Sequence, residues 1–315
     1  MIIFLTGATG ALGIPTLPLL VAAGHRVRAL ARDDLKAQRI VARGAEPVRV
    51  DLFDRAAVLQ ATEGVDAIVH LATNVPPVSK MAFPSAWRMH NRLRTEATAT
   101  LLEAARAHEV DVFVKESITF TYPDRGDEWI DESVALDESV KALQPTIEGE
   151  RLVARFGADG GRGVMLRFGL FYGAENRSTE ETLSMARLRI APIPGATAGY
   201  VSSIHVDDAA TAVVAALDAP AGVYNVVDDD PVTRREYADA FAAAFDLPKL
   251  HVAPGAPMKI VGGSGARALI ASQRVSNRRM RDTTGWAPAY PSVREGWAAI
   301  AAARSTNKKE DVDDG

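Results

Sequence analysis

Apolar residues in this chain come in short continuous runs, separated by stretches where they recur every three or four positions. Residues 2–5 are such a run, ending in Thr6-Gly7, as a strand buried on both faces would. Residues 11–23 follow with helical spacing and close on Gly24. Further strands are predicted over 26–31, 47–50, 65–71, 110–116 and 163–167, with a long helix over 85–109 and another around 152–156. The second half is more mixed. Residues 200–206 and 222–227 read as strands, and 207–217, 233–245, 258–272 and 292–303 as helices. Thr233 followed three residues later by Glu236 is a capping box. Residues 305–315 lack apolar periodicity and are rich in Lys, Glu and Asp, which predicts a disordered tail. No internal repeat is seen.

Strand–helix alternation predicts parallel strands with crossover helices on both faces, and the loops that follow the strands along one edge. The fold class expected is therefore α/β: a doubly wound parallel sheet of the Rossmann type with a smaller C-terminal substrate lobe. Residues 1–173 and 200–227 would form the dinucleotide-binding core, and 174–199 and 228–304 the lobe. The 315 residues, 47% hydrophobic and 24% charged, are enough to bury a large core without staples. A formal net charge of −4 gives no reason to expect nucleic acid. The absence of cysteine excludes disulfides and thiolate metal sites, and suits a reducing cytoplasm. Residues 1–24 carry no charge, yet Gly7, Gly10, Gly13, Pro15 and Pro18 break the run and no basic start precedes it. A leader or a membrane span is not expected there or elsewhere.

Thr6-Gly7-Ala8-Thr9-Gly10-Ala11-Leu12-Gly13 joins the first strand to the first helix. Glycines at this spacing allow a tight turn, close approach of backbone N–H groups to a pyrophosphate, and close packing of helix on strand. The helix start adds free N–H groups and a partial positive charge. A glycine-rich turn without a ligand is the alternative. The place of the motif, after a strand and before a helix, favours a dinucleotide held by Gly7, Thr9, Gly10, Ala11, Leu12 and Gly13.

Gly-x-x-Gly-x-x-Gly is typical of short-chain dehydrogenases, and most of the chain resembles their extended, epimerase/dehydratase-like branch. Asp51-Leu52 resembles the acidic pair that reaches the adenine amine. His70-Leu71-Ala72-Thr73 resembles the loop after the fourth strand that lies against the cofactor, and Asn91 the asparagine of the following helix. Arg167-Phe168-Gly169-Leu170-Phe171-Tyr172-Gly173 is similar to the Arg-Pro-Gly-x-x-Tyr-Gly segment. Ile204 to Ala210 and Gly285-Trp286-Ala287-Pro288 match two late motifs. The resemblance implies cofactor contacts from Asp51, Leu52, Leu71, Ala72, Thr73, Asn91 and Phe168. Structural alternatives stand beside these. Asp51 could cap the helix near Asp54, Asp207 or Asp208 could be an N-cap, Trp286 could pack in the core, and His70 could be a positioned neighbour.

An NAD-preferring protein places an acid at the end of the second strand. Here that strand ends in Leu30-Ala31-Arg32. By resemblance Ala31 holds the acidic place, and Arg32 could pair with a 2′-phosphate. NADP(H) is therefore preferred, with NAD(H) possible. The alternative is that Arg32 pairs with Asp33 or Asp34.

The family's chemistry uses a tyrosine and a lysine four residues apart, with a serine or threonine after the fifth strand. If Glu150 matches the glutamate that follows the lysine, Thr146 stands at the lysine place and Ala142 at the tyrosine place. Ile118 stands at the serine place. The remaining candidates for proton chemistry are Ser117 and Tyr122, with Glu116 and Tyr172 behind them. Pro76, Pro77, Met81, Phe83, Trp87 and Trp129 could shape a pocket or belong to the core. The leading expectation is an NAD(P)-dependent oxidoreductase acting on a small carbonyl, alcohol or sugar-like substrate with a non-standard proton donor. Two rivals are a non-catalytic NADP-binding sensor or scaffold and an epimerase or dehydratase with retained cofactor. By resemblance, a homodimer would form through helix 85–109 and the helix containing Glu150.

Overall fold

The structure, a computed structural model, describes residues 1–76, 80, 83–173, 177–191, 193–255 and 263–313. The chain opens with β1 (Ile2–Thr6), α1 (Gly13–Ala22), β2 (Arg26–Leu30), α2 (Asp34–Val41), β3 (Glu46–Val48), α3 (Arg55–Ala61) and β4 (Ala67–His70). A 3-10 turn (Pro84–Trp87), α4 (Arg88–Arg92), a π-helical turn (Leu93–Ala97) and α5 (Thr98–Ala107) lead to β5 (Val112–Ile118). Then come β6 (Trp129–Ile130), α6 (Gln144–Ala158), β7 (Arg162–Phe168), β8 (Leu170–Tyr172), α7 (Arg177–Arg187), β9 (Tyr200–Val201), β10 (Ser203–His205), α8 (Val206–Ala215) and β11 (Gly222–Val226). The chain closes with β12 (Val232–Thr233), α9 (Arg234–Ala244), α10 (Gly263–Ile270), β13 (Arg274–Val275), α11 (Arg278–Thr284) and α12 (Val293–Asp313).

Seven strands form one parallel sheet in the order β11-β7-β5-β4-β1-β2-β3. One face packs on α1, α2 and α8 through Leu17, Leu20, Ile40, Ala209 and Val213. The other packs on α3, α5 and α6 through Val58, Leu101, Ala105, Val153 and Phe156. Strands covered on both faces are apolar throughout, which is why short continuous runs rather than alternation mark them. A third cluster joins Tyr172, Tyr237, Phe241, Leu250, Val293 and Trp297 from β8, α9 and α12 and the segment between α9 and α10. The capping box at Thr233 and Glu236 forms as predicted, starting α9.

Several elements differ from the pattern in the sequence, each for a local reason. The fifth strand is shifted to Val112–Ile118, because Glu109 turns left-handed (φ +52°) to end α5 before the strand begins. The predicted strand 200–206 splits at Ser202. β9 pairs antiparallel with β12, while β10 pairs parallel with β8. The long helix 85–109 is four pieces rather than one. At its π turn, Leu93 O meets both the His70 ring and the Thr98 hydroxyl at 3.2 Å, which draws it from the regular ladder. α12 continues to Asp313, into the stretch where the sequence predicts disorder. Of the predicted helix 258–272, residues 263–270 are helical and 258–262 lie outside the described residues. No helix among the described residues is long and apolar enough to cross a membrane.

Candidate functional site

The glycine loop leaves β1 at the C-terminal edge of the sheet. Gly7 has φ +80°, and a Cβ there would lie 2.6 Å from the backbone of Leu71. A Cβ on Gly13 would lie 2.0 Å from Gly7 O, so the start of α1 sits directly on the turn. Gly10 is different. It is exposed, its φ is not positive, and a Cβ would meet only Gly7 O, at 3.3 Å. The protein's own packing thus demands glycine at 7 and 13 much more than at 10. A ligand backbone lying on the loop would demand it at 10. α1 begins at Leu12 with no side-chain cap and no acid in its first turn, so its N-terminal charge is left for an anion. Thr9, Gly10 and Ala11 are the part of the loop open to solvent, while Leu12 is buried.

At the end of β2, Arg32 is exposed, and among the described residues no salt bridge within 4 Å is formed by it, although its charge acts on Asp33. The two acids beside it are engaged elsewhere. Asp33 caps α2 at Lys36 N (2.9 Å) and pairs with the Lys36 ammonium (2.5 Å), while Asp34 pairs with Arg49. Arg32 is thus an exposed cation whose neighbouring acids are bonded to Lys36 and Arg49. Across the loop after β3, Asp51 uses one oxygen to hold Phe53 N at 3.0 Å. Asp54, not Asp51, caps α3, through Ala56 N and Ala57 N. Leu52 is buried beside it, and Phe53 lies under the Arg92 guanidinium at 3.8 Å. Asn91 is half-buried on α4, and the hydrogen bond recorded for it uses its carbonyl, which accepts from Thr95.

Beyond β4, Leu71 N donates to Thr6 O and Ala72 N to the Thr6 hydroxyl, tying this loop to the glycine turn. Leu71 is buried, Ala72 half-buried and Thr73 exposed. His70 is buried, and burial holds its imidazole neutral with the pKa lowered to about 3. Its Nδ1 lies 2.7 Å from the Thr6 hydroxyl and its Nε2 3.2 Å from Leu93 O. Since a carbonyl only accepts, Nε2 carries the hydrogen. His70 thus fastens β1 and β4 to the π turn and is not open to solvent.

The two hydroxyls singled out for catalysis, Ser117 and Tyr122, are 0% and 1% exposed. Ser117 donates to the Glu150 carboxylate, which also takes the Arg167 guanidinium on both oxygens. Arg167 donates to the Tyr122 hydroxyl at 2.7 Å, and that hydroxyl donates to Asn225 at 2.9 Å. Burial pushes Tyr122 up to about 12 against the pull of Arg167. Both hydroxyls are thus saturated inside a network that locks β5, α6, β7 and β11 together. Tyr172 is likewise buried, donating toward Asp228 at 3.2 Å. Glu116 is held by Arg94, with both side chains buried and Nη1 2.7 Å from Oε2. Ile118, Ala142 and Thr146, the places expected for the serine, tyrosine and lysine, are half-buried, exposed and buried respectively.

The later motifs resolve into structure. His205, rather than either aspartate, caps α8, accepting from Asp207 N at 3.2 Å. Asp208 instead accepts from Ala289 N and Tyr290 N, and Trp286 donates to Thr211 at 2.9 Å, so the Gly-Trp-x-Pro turn is pinned to α8. Phe168 is fully buried in the core, leaving only its backbone to face a ligand. Of the apolar pocket candidates, Pro76 is buried, Trp87 half-buried, and Phe83 and Trp129 exposed. Pro77 and Met81 lie outside the described residues. Sequence reasoning passed over His90, Arg94 and Lys115, which meet between the long helix and β5. Nothing in their spacing marks them, and only burial reveals them.

Residues 3–227 match the NAD dependent epimerase/dehydratase family. A 3-diazoavenalumate denitrifying reductase from a Streptomyces species is 33% identical over 311 residues, covering 94% of this chain and 99% of that protein. The fold is shared with the human epimerase family protein SDR39U1 (isoform 2) in a complex with NADPH. That match has a TM-score of 0.81 and 23% identity, over 96% of this chain and 99% of the other. It is shared also with a UDP-glucuronic acid 4-epimerase from Bacillus cereus in complex with UDP-glucuronic acid and NAD, at a TM-score of 0.77 and 16% identity, over 96% and 98%.

Proposed function

The chain belongs to the NAD dependent epimerase/dehydratase family, and from that premise we propose that it is an NADPH-dependent reductase of a diazo compound. The observation that carries this reading is the state of the proton-handling positions. Ile118, Ala142 and Thr146 offer neither a phenol nor an ammonium, and the hydroxyls of Ser117 and Tyr122 are consumed within the fold. Reduction of a carbonyl leaves an alkoxide that must be protonated, so it needs a donor at the oxygen. Reduced nicotinamide supplies a hydride, and a diazonium carbon that accepts it releases dinitrogen with the electrons of the broken C–N bond, so no proton donor is required. The Streptomyces relative at 33% identity is named for such a reductive denitrification. An epimerase or dehydratase must remove and return protons, which the same vacancy disfavours.

Gly7, Gly10, Gly13 and the start of α1 would cradle the pyrophosphate, and Asp51 and Leu52 the adenine. Leu71, Ala72 and Thr73 would line the path of the ribose and nicotinamide. The exposed Arg32 would hold the 2′-phosphate and give preference to NADPH over NADH. A cytoplasmic location and a homodimer through α4, α5 and α6 belong to the same proposal.

The test is oxidation of NADPH followed by its absorbance with 3-diazoavenalumate as acceptor, with dinitrogen measured in the headspace. One dinitrogen per NADPH is expected. Tight NADPH binding with no turnover on this acceptor or on a 3-oxoalkanoate would favour the sensor reading. Arg32→Ala should weaken NADPH about ten- to a hundredfold, the range of a hydrogen bond to a charged group, and leave NADH unchanged. Equal loss for both cofactors would remove Arg32 from the phosphate site.

A further inference from the structure

His90 is 6% exposed, yet among the described residues its Nδ1 has no hydrogen-bond partner. Its Nε2 lies 3.4 Å from Arg94 Nε, which can only donate, so Nε2 accepts and Nδ1 carries the hydrogen. Burial, then the charges of Arg94 and Lys115, lowers the imidazole pKa to about 3 and keeps it neutral. It is one of five such buried side-chain atoms among the described residues, with Ser203 Oγ, Asp228 Oδ1, Arg274 Nε and Trp297 Nε1, and a buried N–H without an acceptor is costly.

The topology says where this N–H stands. The crossover from β4 to β5 runs antiparallel to the strands, so its first turns lie at the C-terminal edge of the sheet. Arg94 is level with Glu116, which it binds through both backbone and carboxylate. His90 lies four residues earlier on the helix, about 6 Å further out. Ile118 lies two residues later on the strand, about 6.6 Å in the same direction. α6 closes the third side. A Cβ on Gly149 would sit 2.5 Å from Arg94 O, and Thr146 is one turn outward from there. His90, Ile118 and Thr146 thus each lie outward of the contacts that join Arg94 to Glu116 and Gly149, two of them at the places expected for the family's serine and lysine. Trp87 packs edge-on against the His90 ring at 5.3 Å and closes the outer side.

We propose that His90 is the substrate-binding donor of this site, a neutral imidazole whose Nδ1–H takes an electron-rich oxygen of the substrate, phenolate or carbonyl, beside the carbon that receives hydride. It orients and polarises the acceptor without giving up its proton, which suits a reaction in which no oxygen is protonated. Arg94 fixes the tautomer and is itself fixed by Glu116, so the donor is held by a buried charge pair.

This rests on the reductase reading, and the two are separable by choice of variant. Asparagine places an amide N–H where His90 Nδ1 stands, glutamine reaches only the Nε2 position, and phenylalanine keeps the ring without a donor. With NADPH and 3-diazoavenalumate, His90→Phe and His90→Gln should lose about a hundredfold in kcat/KM, and His90→Asn should recover most of it. NADPH affinity and Tm should stay near wild type in all three. Wild-type turnover with His90→Phe within threefold, or with Asn no better than Gln, overturns the proposal. If the wild type shows no turnover, the reductase reading fails instead, and His90 is judged by calorimetric binding of 3-diazoavenalumate to the NADP⁺-loaded protein. A tenfold weaker Kd in His90→Phe supports the donor role, while equal affinity or no wild-type binding overturns it.

Discussion

Three glycines in one loop carry different burdens. A side chain at Gly13 would enter Gly7 O, and one at Gly7 would enter the Leu71 backbone, whereas one at Gly10 would make a tight contact of 3.3 Å with Gly7 O. Gly10→Ala should therefore lower Tm much less than Gly13→Ala while weakening NADPH at least tenfold. A thermal melt beside a fluorescence titration distinguishes them. Lys115 is a second informative residue. It is buried, its ammonium donating to Glu116 O at 3.1 Å, and burial, then the Arg94 charge, lowers its pKa to about 7 against the pull of Glu116 and Glu150. The unfolded chain holds this proton up to the ordinary lysine pKa near 10.5. Between pH 7 and 10.5 the unfolded state thus binds more protons than the folded one, so this group makes stability rise with pH across that window. Its penalty is full below pH 7 and gone above 10.5. Lys115→Met should be more stable than wild type at pH 7, with the advantage shrinking toward pH 10.5. Denaturant midpoints at several pH values would check this, and an advantage that grows with pH would contradict it.

At the scale of elements, the helical crossover after β4 is the part most shaped by its surroundings. Its π turn exposes Leu93 O to His70 and so couples the loop beside the glycine turn to the helix that carries His90 and Arg94. α6 approaches this helix so closely that Gly149 has no room for a methyl group, meeting Arg94 O on one side and Lys115 Cε at 3.1 Å on the other. Gly149→Ala should displace α6 at a cost of about 1–3 kcal/mol, in the range of overpacked cores. Because Glu150 is the next residue, the bonds to Ser117 and Arg167 should loosen as well. Denaturant unfolding gives the magnitude. Loss below 0.5 kcal/mol would mean that the two helices part more easily than their contacts imply.

For the whole molecule, the strand order reverses between β1 and β4, which opens a crevice at the carboxyl edge exactly where two neighbouring loops lead away from each other. The glycine loop leaves one side and residues 71–73 the other. Oligomerisation, if it uses α5 and α6, meets a charged surface rather than an apolar seam. Arg106 pairs with Asp159, and Arg151 and Arg155 with Glu148, all near the outer faces of these helices. A dimer through this face should weaken with salt, since exposed pairs are screened. Light scattering at low and high salt measures it. A monomer at every concentration and salt would remove the homodimer from the proposal.

The sequence by itself determined the sheet, the glycine loop and the lack of any tyrosine or lysine over residues 142–171. Each is local: buried parallel strands must be apolar runs, the turn at Gly7 needs a positive φ, and a missing residue type is visible without coordinates. It also placed the capping box at Thr233, because a cap spans only four residues. Tertiary structure alone decided the rest. That Ser117 and Tyr122 are spent on Glu150, Arg167 and Asn225 depends on contacts between residues 17 to 103 positions apart. That Asp34 is bonded away from Arg32 depends on Arg49 taking it. His90 carries no motif at all; only the packing of a helix against β5 and α6 leaves its Nδ1 buried without an acceptor, because an unmet hydrogen bond is a property of surroundings and not of a sequence position.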